Sequence, residues 1–305
     1  MNHAHTHHPD ESRNRATTRR LGFSLGITLL FVAVEIVAGI FSNSLALLTD
    51  AAHNFTDVIT LALTMWAFAM ALKPAHSEKT YGYHRAGILV ALVNSSTLAL
   101  IAGGIFVEAI RRMINPPNVD AGILIWVSFA AVAVNLGTAL LVRRGSENDL
   151  NLKSAFLHLM GDVFSTVGAL AAGIIIRFTG ANWLDPLVSF LIGFLILWNA
   201  WGILKESVHI LMESTPSDID MENLVQDIQG VQGVRGLHDL HIWSLNKSRR
   251  TLSAHIVVDD VTIKAGAQVQ SEINNLLVNK YHIEHATLQL ECPGCSAGKT
   301  YCTYC

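Results

Sequence analysis

The chain has 305 residues, of which 51% are hydrophobic and only 15% are charged, and its mean hydropathy is +0.39. A soluble globular domain rarely has so few charged residues, so this composition indicates a polytopic membrane protein surrounded by membrane lipid. The net charge of −3 argues against a nucleic-acid partner.

The first segment, residues 1–20, is polar and ends in a run of arginines. It contains four closely spaced histidines: His3, His5, His7 and His8. We interpret it as a cytoplasmic tail that either collects metal loosely or is simply mobile. The apolar stretch that follows, 21–41, is too long for the apolar part of a cleaved signal peptide.

Six long apolar stretches follow one another along the chain. They lie at about 21–41, 44–72, 86–110, 120–142, 154–178 and 183–210. Each reaches the rough minimum of 17–20 residues for a helix that crosses a bilayer. We therefore predict a six-helix transmembrane domain at residues 21–212.

The orientation follows from lysine and arginine, which are in excess in cytoplasmic loops. With the N-terminus inside, the inner segments hold Arg13, Arg15, Arg19, Arg20, Lys73, Lys79, Arg85, Arg143, Arg144, Lys153 and Lys205. The outer segments hold only Arg111, Arg112 and Arg177. We therefore predict that both termini are cytoplasmic.

Two frames of the same kind lie inside the second and fifth stretches, His53–Asp57 and His158–Asp162. Residues i and i+4 share a helix face, so each frame points an imidazole and a carboxylate the same way. Two nitrogens and two oxygens make a tetrahedral set suited to Zn²⁺. Ionisable groups at membrane depth are costly and usually mark a transport path. The alternative is a pair of interhelical hydrogen bonds without metal.

The predicted topology allows the two frames to meet. The second and fifth spans are antiparallel, and at 1.5 Å of rise per residue Asp57 and Asp162 differ in depth by only about 5 Å. Zn²⁺ needs neutral imidazoles and ionised carboxylates, so metal and protons should compete for these side chains.

Three further acidic residues lie in or near the spans. Asp50 is one helical turn from His53, and it either orients that imidazole or caps the helix. For Glu35 we favour an interhelical hydrogen bond over a role in a proton path. Asp185-Pro186 has the pattern of an N-cap followed by proline at the first helical position.

Residues 213–291 have a different character from the spans. The pattern predicts helices at 219–229 and 264–280 and strands at 236–245, 250–259 and 285–291. The order αββαβ indicates a small ferredoxin-like α+β domain.

The last segment, residues 292–305, holds all four cysteines in two C-x-x-C pairs. The pairs are Cys292 with Cys295, and Cys302 with Cys305. This spacing is that of structural zinc ligands, and metal binding suits a reducing compartment better than disulfides do. The alternative is that the segment is a tail that is disordered without metal.

Several motifs together resemble the cation diffusion facilitator family. Ser44–Asp57 is similar to its second span and His158–Asp162 to its fifth. Tyr81–Arg85 resembles the start of its third span, and His238–Leu245 the first strand of its cytoplasmic domain. The resemblance covers about residues 20–291.

The resemblance implies a homodimeric Zn²⁺/H⁺ antiporter that exports metal across the inner (plasma) membrane of a bacterium. Its transport ligands correspond to His53, Asp57, His158 and Asp162. A His-Asp pair on both helices is similar to the zinc-preferring branch, and selectivity among Zn²⁺, Cd²⁺, Co²⁺ and Ni²⁺ stays open.

The resemblance also implies a regulatory metal site in the cytoplasmic domain, at His238, His255 and Glu291. Two positions depart from the family pattern. The family often adds a histidine from the second helix of this domain, where this chain offers Gln268, and some members have histidine at the position of Gln289. A complete two-metal site is therefore in question, and His238 without a ligand role is the alternative.

Two other classes of function are weighed against a transporter. An intramembrane metalloprotease would carry H-E-x-x-H, which neither frame has, and four protein ligands would fill the open position that catalysis needs. A divalent cation channel must hold its ion weakly, whereas a four-ligand cage binds it tightly. We therefore do not expect an enzyme.

Overall fold

The computed structural model describes residues 11–143 and 150–293. Within these ranges the elements are α1 (Glu11–Ser42), α2 (Leu45–Ala71), α3 (Ala86–Ile114), α4 (Ala121–Arg143), α5 (Leu150–Thr179), α6 (Leu184–Leu211), α7 (Met221–Gln229), β1 (Val234–Ser244), β2 (Arg250–Val258), α8 (Ile263–Tyr281) and β3 (His285–Glu291). The predicted order of long helices followed by αββαβ is confirmed.

Among the described residues, the five helices α2 to α6 are long and apolar enough to cross a membrane. The apolar part of α1, Thr28–Ser42, is shorter. Helix α1 also begins at Glu11, ahead of the apolar stretch predicted from residue 21. The fold is therefore that of a multi-pass helical membrane protein with a C-terminal α+β domain.

The chain divides into two compact units. The first comprises Met1–Leu63 and Asn94–Gly202, and the second Thr64–Val93 and Ile203–Cys305. The boundaries fall inside α2, α3 and α6. The predicted domain boundary after residue 212, drawn from composition, therefore does not coincide with the division into compact units.

In the first unit, α4 and α5 approach closely at Gly173. A Cβ atom at this position would lie 3.0 Å from Cγ of Leu124. Leu124 and Ile176 are buried at this contact together with Leu47 of α2. Close-packed small residues are the usual basis of helix association in membranes, where apolar burial contributes little.

Asp185 does not have the capping role that its sequence pattern predicts. It lies inside α6, is fully buried, and accepts three hydrogen bonds from the first turn of α2. The donors are the Ser44 hydroxyl (2.5 Å) and the backbone amides of Leu45 (2.6 Å) and Ala46 (3.3 Å). A carboxylate at a helix N-terminus satisfies free amides and opposes the helix dipole. Asp185 therefore caps α2 from a helix 141 residues away along the chain.

In the second unit, the C-terminal domain forms two layers. The sheet has the order β1-β2-β3, with β1 antiparallel and β3 parallel to β2. One face carries Leu252 and Ile256 of β2 against Ile273 and Leu277 of α8, all fully buried. His238 and His255 are paired in the register and alternate with core residues, so they lie on the opposite face.

The second unit also contains the connection between α2 and α3. His76 and Lys79 form an isolated bridge, and Gly82 turns the chain with φ of +73°. Arg85 pairs with Glu213 at 2.9 Å. The connection is therefore an ordered structure and not a loose polar loop.

His84 in this connection accepts a hydrogen bond at Nε2 from the Arg249 guanidinium, at 2.8 Å. Burial, together with the charge of Arg249, lowers the pKa of His84. A protonated His84 could only donate, so it would repel Arg249 and lose this contact.

We predict that Asp185→Ala lowers the free energy of unfolding by about 2 kcal/mol, because several helix amides lose their acceptor. Reversible unfolding in mixed micelles measures this. Glu108→Ala, which removes a carboxylate paired with Arg112, is the control. The Ser44→Ala change should lower the free energy of unfolding less in the Asp185→Ala variant than in the wild type. An equal decrease in both would contradict the role of Asp185 as a cap.

We predict that part of the acid sensitivity of the protein comes from His84. Because its pKa is lower in the folded state, the unfolded chain binds more protons, and stability falls as pH drops through about 6.5. In the His84→Gln variant, the side-chain oxygen of the glutamine can accept the hydrogen bond from Arg249 at every pH. The apparent Tm should therefore fall less between about pH 7.5 and 5.5 in this variant than in the wild type. All other histidines are the same in both proteins, so identical falls would exclude the contribution of His84.

Candidate metal centre

The two predicted frames meet inside the first unit. Helix α2 supplies His53 and Asp57, and α5 supplies His158 and Asp162. One ligand atom from each of the four lies within 4.8 Å of all the others. Helical i,i+4 spacing places each pair on one face, and the two faces point at each other.

Each imidazole lies closer to the carboxylate of the other helix than to that of its own. His53 Nε2 is 3.3 Å from Asp162 and 3.7 Å from Asp57. His158 Nε2 is 3.2 Å from Asp57 and 3.9 Å from Asp162. The four groups therefore form two pairs that cross between the helices.

These distances fit a tetrahedral zinc site. Zinc–nitrogen and zinc–oxygen bonds of about 2.0–2.2 Å give ligand-to-ligand edges of about 3.3–3.6 Å in a regular tetrahedron. The nitrogen–oxygen distances of 3.2, 3.3 and 3.7 Å lie close to this range, whereas the 3.9 Å from His158 to the second oxygen of Asp162 lies beyond it. The four groups are therefore close enough together to surround one ion.

The site is closed on one side and open on the other. The side chains of His53 and Asp162 are 13% and 11% exposed, whereas those of Asp57 and His158 are 32% and 51% exposed. The two more exposed residues, Asp57 and His158, lie toward the end of α2 at Ala71 and toward the start of α5 at Leu150. The half of the four-residue set that lies toward those helix ends is therefore the more exposed one.

Asp50 does not form the hydrogen bond that would orient His53. His53 Nδ1 has no hydrogen-bond partner among the described residues, so Asp50 does not bond it. The carboxylate of Asp50 instead faces that of Glu35, and both residues are buried. Asn54 donates to Oε2 of Glu35 at 3.2 Å, which agrees with the interhelical hydrogen bond predicted for Glu35. A role of Asp50 in holding His53 stays a prediction.

A second cluster lies on the open face of the sheet. One oxygen of Glu291 lies 3.0 Å from His238 Nε2, and the other lies 2.9 Å from His255 Nδ1. The two imidazole rings are 5.1 Å apart. The structure thus brings together the three residues that the resemblance implied as a regulatory metal site.

The structure adds Asp239, which the sequence did not single out. Its carboxylate lies 3.6 Å from His255 and 3.1 Å from His241. Strict alternation would direct Asp239 away from His238. A register shift between His238 and His241, with φ of +51° at Asp239, adds one residue to the strand and brings the carboxylate to His255. No pattern in the sequence marks this bulge.

The charge state of Glu291 fits a ligand role. Burial opposes its ionisation, but hydrogen bonds with Gln289 and His238 and the nearby His255 hold its pKa below the usual value. Gln289 donates to Glu291 at 2.8 Å. Gln289 therefore helps to keep Glu291 ionised.

The two terminal metal predictions fall largely outside the described residues. Of the four tail cysteines, Cys292 is described and is exposed. Cys295, Cys302 and Cys305 lie outside the described ranges, as do the histidines of the N-terminal tail.

Comparison with known proteins matches both parts of the chain to family models. The model described as cation efflux transmembrane domain matches residues 21–212. The model described as cation efflux protein, cytoplasmic domain, matches residues 216–292.

Relatives of similar length are found in several bacteria. A cadmium, cobalt and zinc/H(+)-K(+) antiporter of Bacillus subtilis is 40% identical over 264 residues, which are 86% of this chain and 85% of the relative. Zinc transporter ZitB of Pectobacterium atrosepticum is 38% identical over 96% of this chain and 90% of the relative.

The solved structures that are similar to this chain include a single cytoplasmic-type domain. The metal-bound C-terminal domain of the CzcD transporter from Cupriavidus metallidurans is 33% identical, with a TM-score of 0.23. The match covers 24% of this chain and 99% of the other.

We predict that His255→Ala weakens zinc binding to the strand cluster at least tenfold, because it removes one of three ligands. Zinc titration of the full chain measures this, with Asp57→Ala and Asp162→Ala present so that the membrane set does not contribute. His209→Gln is the control, since His209 lies outside the cluster and contacts the Thr215 carbonyl. Equal zinc binding by the His255→Ala and control proteins would exclude His255 as a ligand.

Proposed function

We propose that this chain, which belongs to the cation diffusion facilitator family of cation efflux proteins, exports Zn²⁺ from the cytoplasm in exchange for protons. Related divalent ions such as Cd²⁺ and Co²⁺ are further substrates. The observation that carries the proposal is the meeting of two imidazoles and two carboxylates from α2 and α5 inside the membrane-spanning unit.

The crossed pairs give a reason for exchange. Nε2 of His53 and of His158 lies 3.3 and 3.2 Å from a carboxylate oxygen, so each pair can hold a proton between its two groups. Zn²⁺ binds neutral imidazoles and ionised carboxylates, so protons in excess of that state must leave the pairs before zinc binds. Zinc entry therefore releases protons, and zinc release requires their return. Coupling follows because one set of atoms cannot hold both.

The uneven exposure of the site supports a direction. In the proposed topology α2 runs inward and α5 runs outward. The exposed members, Asp57 and His158, then lie on the cytoplasmic side of the buried members, His53 and Asp162. Such a site accepts zinc from the cytoplasm. Release outside requires a second state in which the exposed and buried pairs change roles.

The proposal also covers the membrane in which the protein lies, its orientation, its assembly and its domains. The protein is a multi-pass membrane protein, and we place it in the inner (plasma) membrane of a bacterium with both termini in the cytoplasm. The family model for residues 216–292 supports a homodimer. We assign 21–212 to the transmembrane domain and 213–291 to the cytoplasmic domain.

The strand cluster of His238, His255 and Glu291 has a regulatory role in this proposal, with Asp239 at its edge. A zinc ion there would join three strands of one sheet. Bound zinc alters transport only insofar as it favours one conformation over another. The membrane site and the strand cluster then sense the same ion in separate units.

The chain is a transporter and not an enzyme. Four side chains surround the membrane site, which leaves no protein-designed open position for a catalytic water. The same four ligands distinguish it from a channel, because a passive pore must bind its ion weakly at every position.

We predict that Asp57→Ala or Asp162→Ala lowers zinc flux roughly 100-fold or more, because loss of one charged partner at a buried site costs about 3–5 kcal/mol. Zinc uptake into proteoliposomes under an imposed pH gradient measures this. Glu108→Gln, a carboxylate change outside the site, should retain wild-type flux. Wild-type flux in either aspartate variant would overturn the assignment of the site.

A further inference from the structure

A cavity of about 640 Å³ lies in the second unit, where α2 ends and α3 begins. Its apolar wall is formed by Trp66 and Met70 of α2 and Leu89 of α3. The facing wall includes Tyr83 and Trp243. The cavity therefore has one side made by membrane-spanning helices and another made by aromatic groups of the kind that lie at membrane–water interfaces.

A second cavity, of about 580 Å³, adjoins the first. Tyr81, Gly82 and His84 line both, so the two cavities are neighbours that share a wall. The second cavity is more polar than the first, and it is lined by Lys73 and Arg249. The two cavities, joined at these shared residues, thus offer an apolar surface against the helices and cationic side chains beside it.

Some of the charged residues that line the two cavities form ion pairs and others do not. Arg85 is neutralised by Glu213 and Arg250 by Asp218. Among the described residues, Lys73, Lys79 and Arg249 have no carboxylate within 4.0 Å, and Arg249 instead meets a neutral nitrogen of His84. Two acids at the rim, Glu78 and Glu284, are likewise unpaired within the described residues. The lining therefore keeps an excess of positive charge.

We propose that the joined cavities bind an anionic phospholipid of the cytoplasmic leaflet. Its acyl chains lie along Trp66 and Leu89, and its phosphate lies among Lys73, Lys79 and Arg249. Basic pockets at the cytoplasmic ends of spanning helices suit acidic headgroups, and a soluble anion would make no use of the apolar wall.

The proposed lipid would also fasten the connection between α2 and α3. That connection reaches Glu213 and Arg249 through single polar contacts of Arg85 and His84. A phosphate that contacts Lys73 and Arg249 together would add a charge-assisted bridge between the same segments. Lipid composition would then affect how firmly this connection is held.

The test measures lipid binding to the purified full chain by native mass spectrometry, with phosphatidylglycerol and phosphatidylcholine of identical acyl chains. The double variant Lys73→Gln, Lys79→Gln should bind phosphatidylglycerol about 30-fold more weakly, at about tenfold per 1.4 kcal/mol. The control double variant Lys205→Gln, Lys264→Gln changes the net charge equally at exposed lysines outside both cavities and should bind as the wild type does.

Two further arms separate this site from simpler explanations. Trp66→Ala keeps every charge and should also weaken phosphatidylglycerol binding, because it removes part of the apolar wall. Glycerol 3-phosphate carries the phosphate without acyl chains and should not displace the lipid at equal concentration. The proposal is overturned if both double variants lose the same affinity, if phosphatidylcholine binds equally well, or if glycerol 3-phosphate displaces the lipid.

Discussion

The two crossed pairs between α2 and α5 are the interaction on which the rest of this protein depends. Each pair places an imidazole of one helix against a carboxylate of the other, at 3.2 and 3.3 Å. An isolated charge at membrane depth costs several kcal/mol, so neither helix could carry its frame alone without penalty. The pairing lets each helix keep its polar groups, and it brings four candidate ligand atoms within 4.8 Å of one another. In the proposed function, helix association and zinc binding therefore use the same atoms.

Much of this arrangement is readable from sequence because it rests on local periodicity. The spacing of His53 and Asp57, repeated at His158 and Asp162, predicts a shared face on each helix, and the structure joins those faces. The αββαβ order follows in the same way from the alternation of apolar residues.

Features that depend on contacts between distant parts of the chain cannot be predicted in this way. Asp185 has the pattern of a cap for its own helix, yet its hydrogen bonds go to α2. Asp239 reaches His255 only because the strand bulges.

The two candidate metal clusters are held by polar contacts of similar length. In the membrane set the closest nitrogen–oxygen contacts are 3.2 and 3.3 Å, and in the strand cluster the imidazoles lie 2.9 and 3.0 Å from Glu291. The clusters differ in composition, because the membrane set has two imidazoles and two carboxylates, whereas the strand cluster has two imidazoles and one carboxylate. The strand cluster is therefore one group short of the tetrahedral set that the membrane residues supply.

The cap on α2 also bears on how the protein is made. Ser44 and Asp185 are 141 residues apart, so α2 is synthesised well before the side chain that satisfies its first turn. At about 5–20 residues per second, the delay is on the order of ten seconds. During that interval the amides of Leu45 and Ala46 must rely on water or lipid headgroups. The amide of Leu47, by contrast, has a local acceptor, the Ser44 hydroxyl. The first turn of α2 is therefore completed only after α6 has emerged from the ribosome, and a nascent chain truncated before that helix would leave the amides of Leu45 and Ala46 without this acceptor.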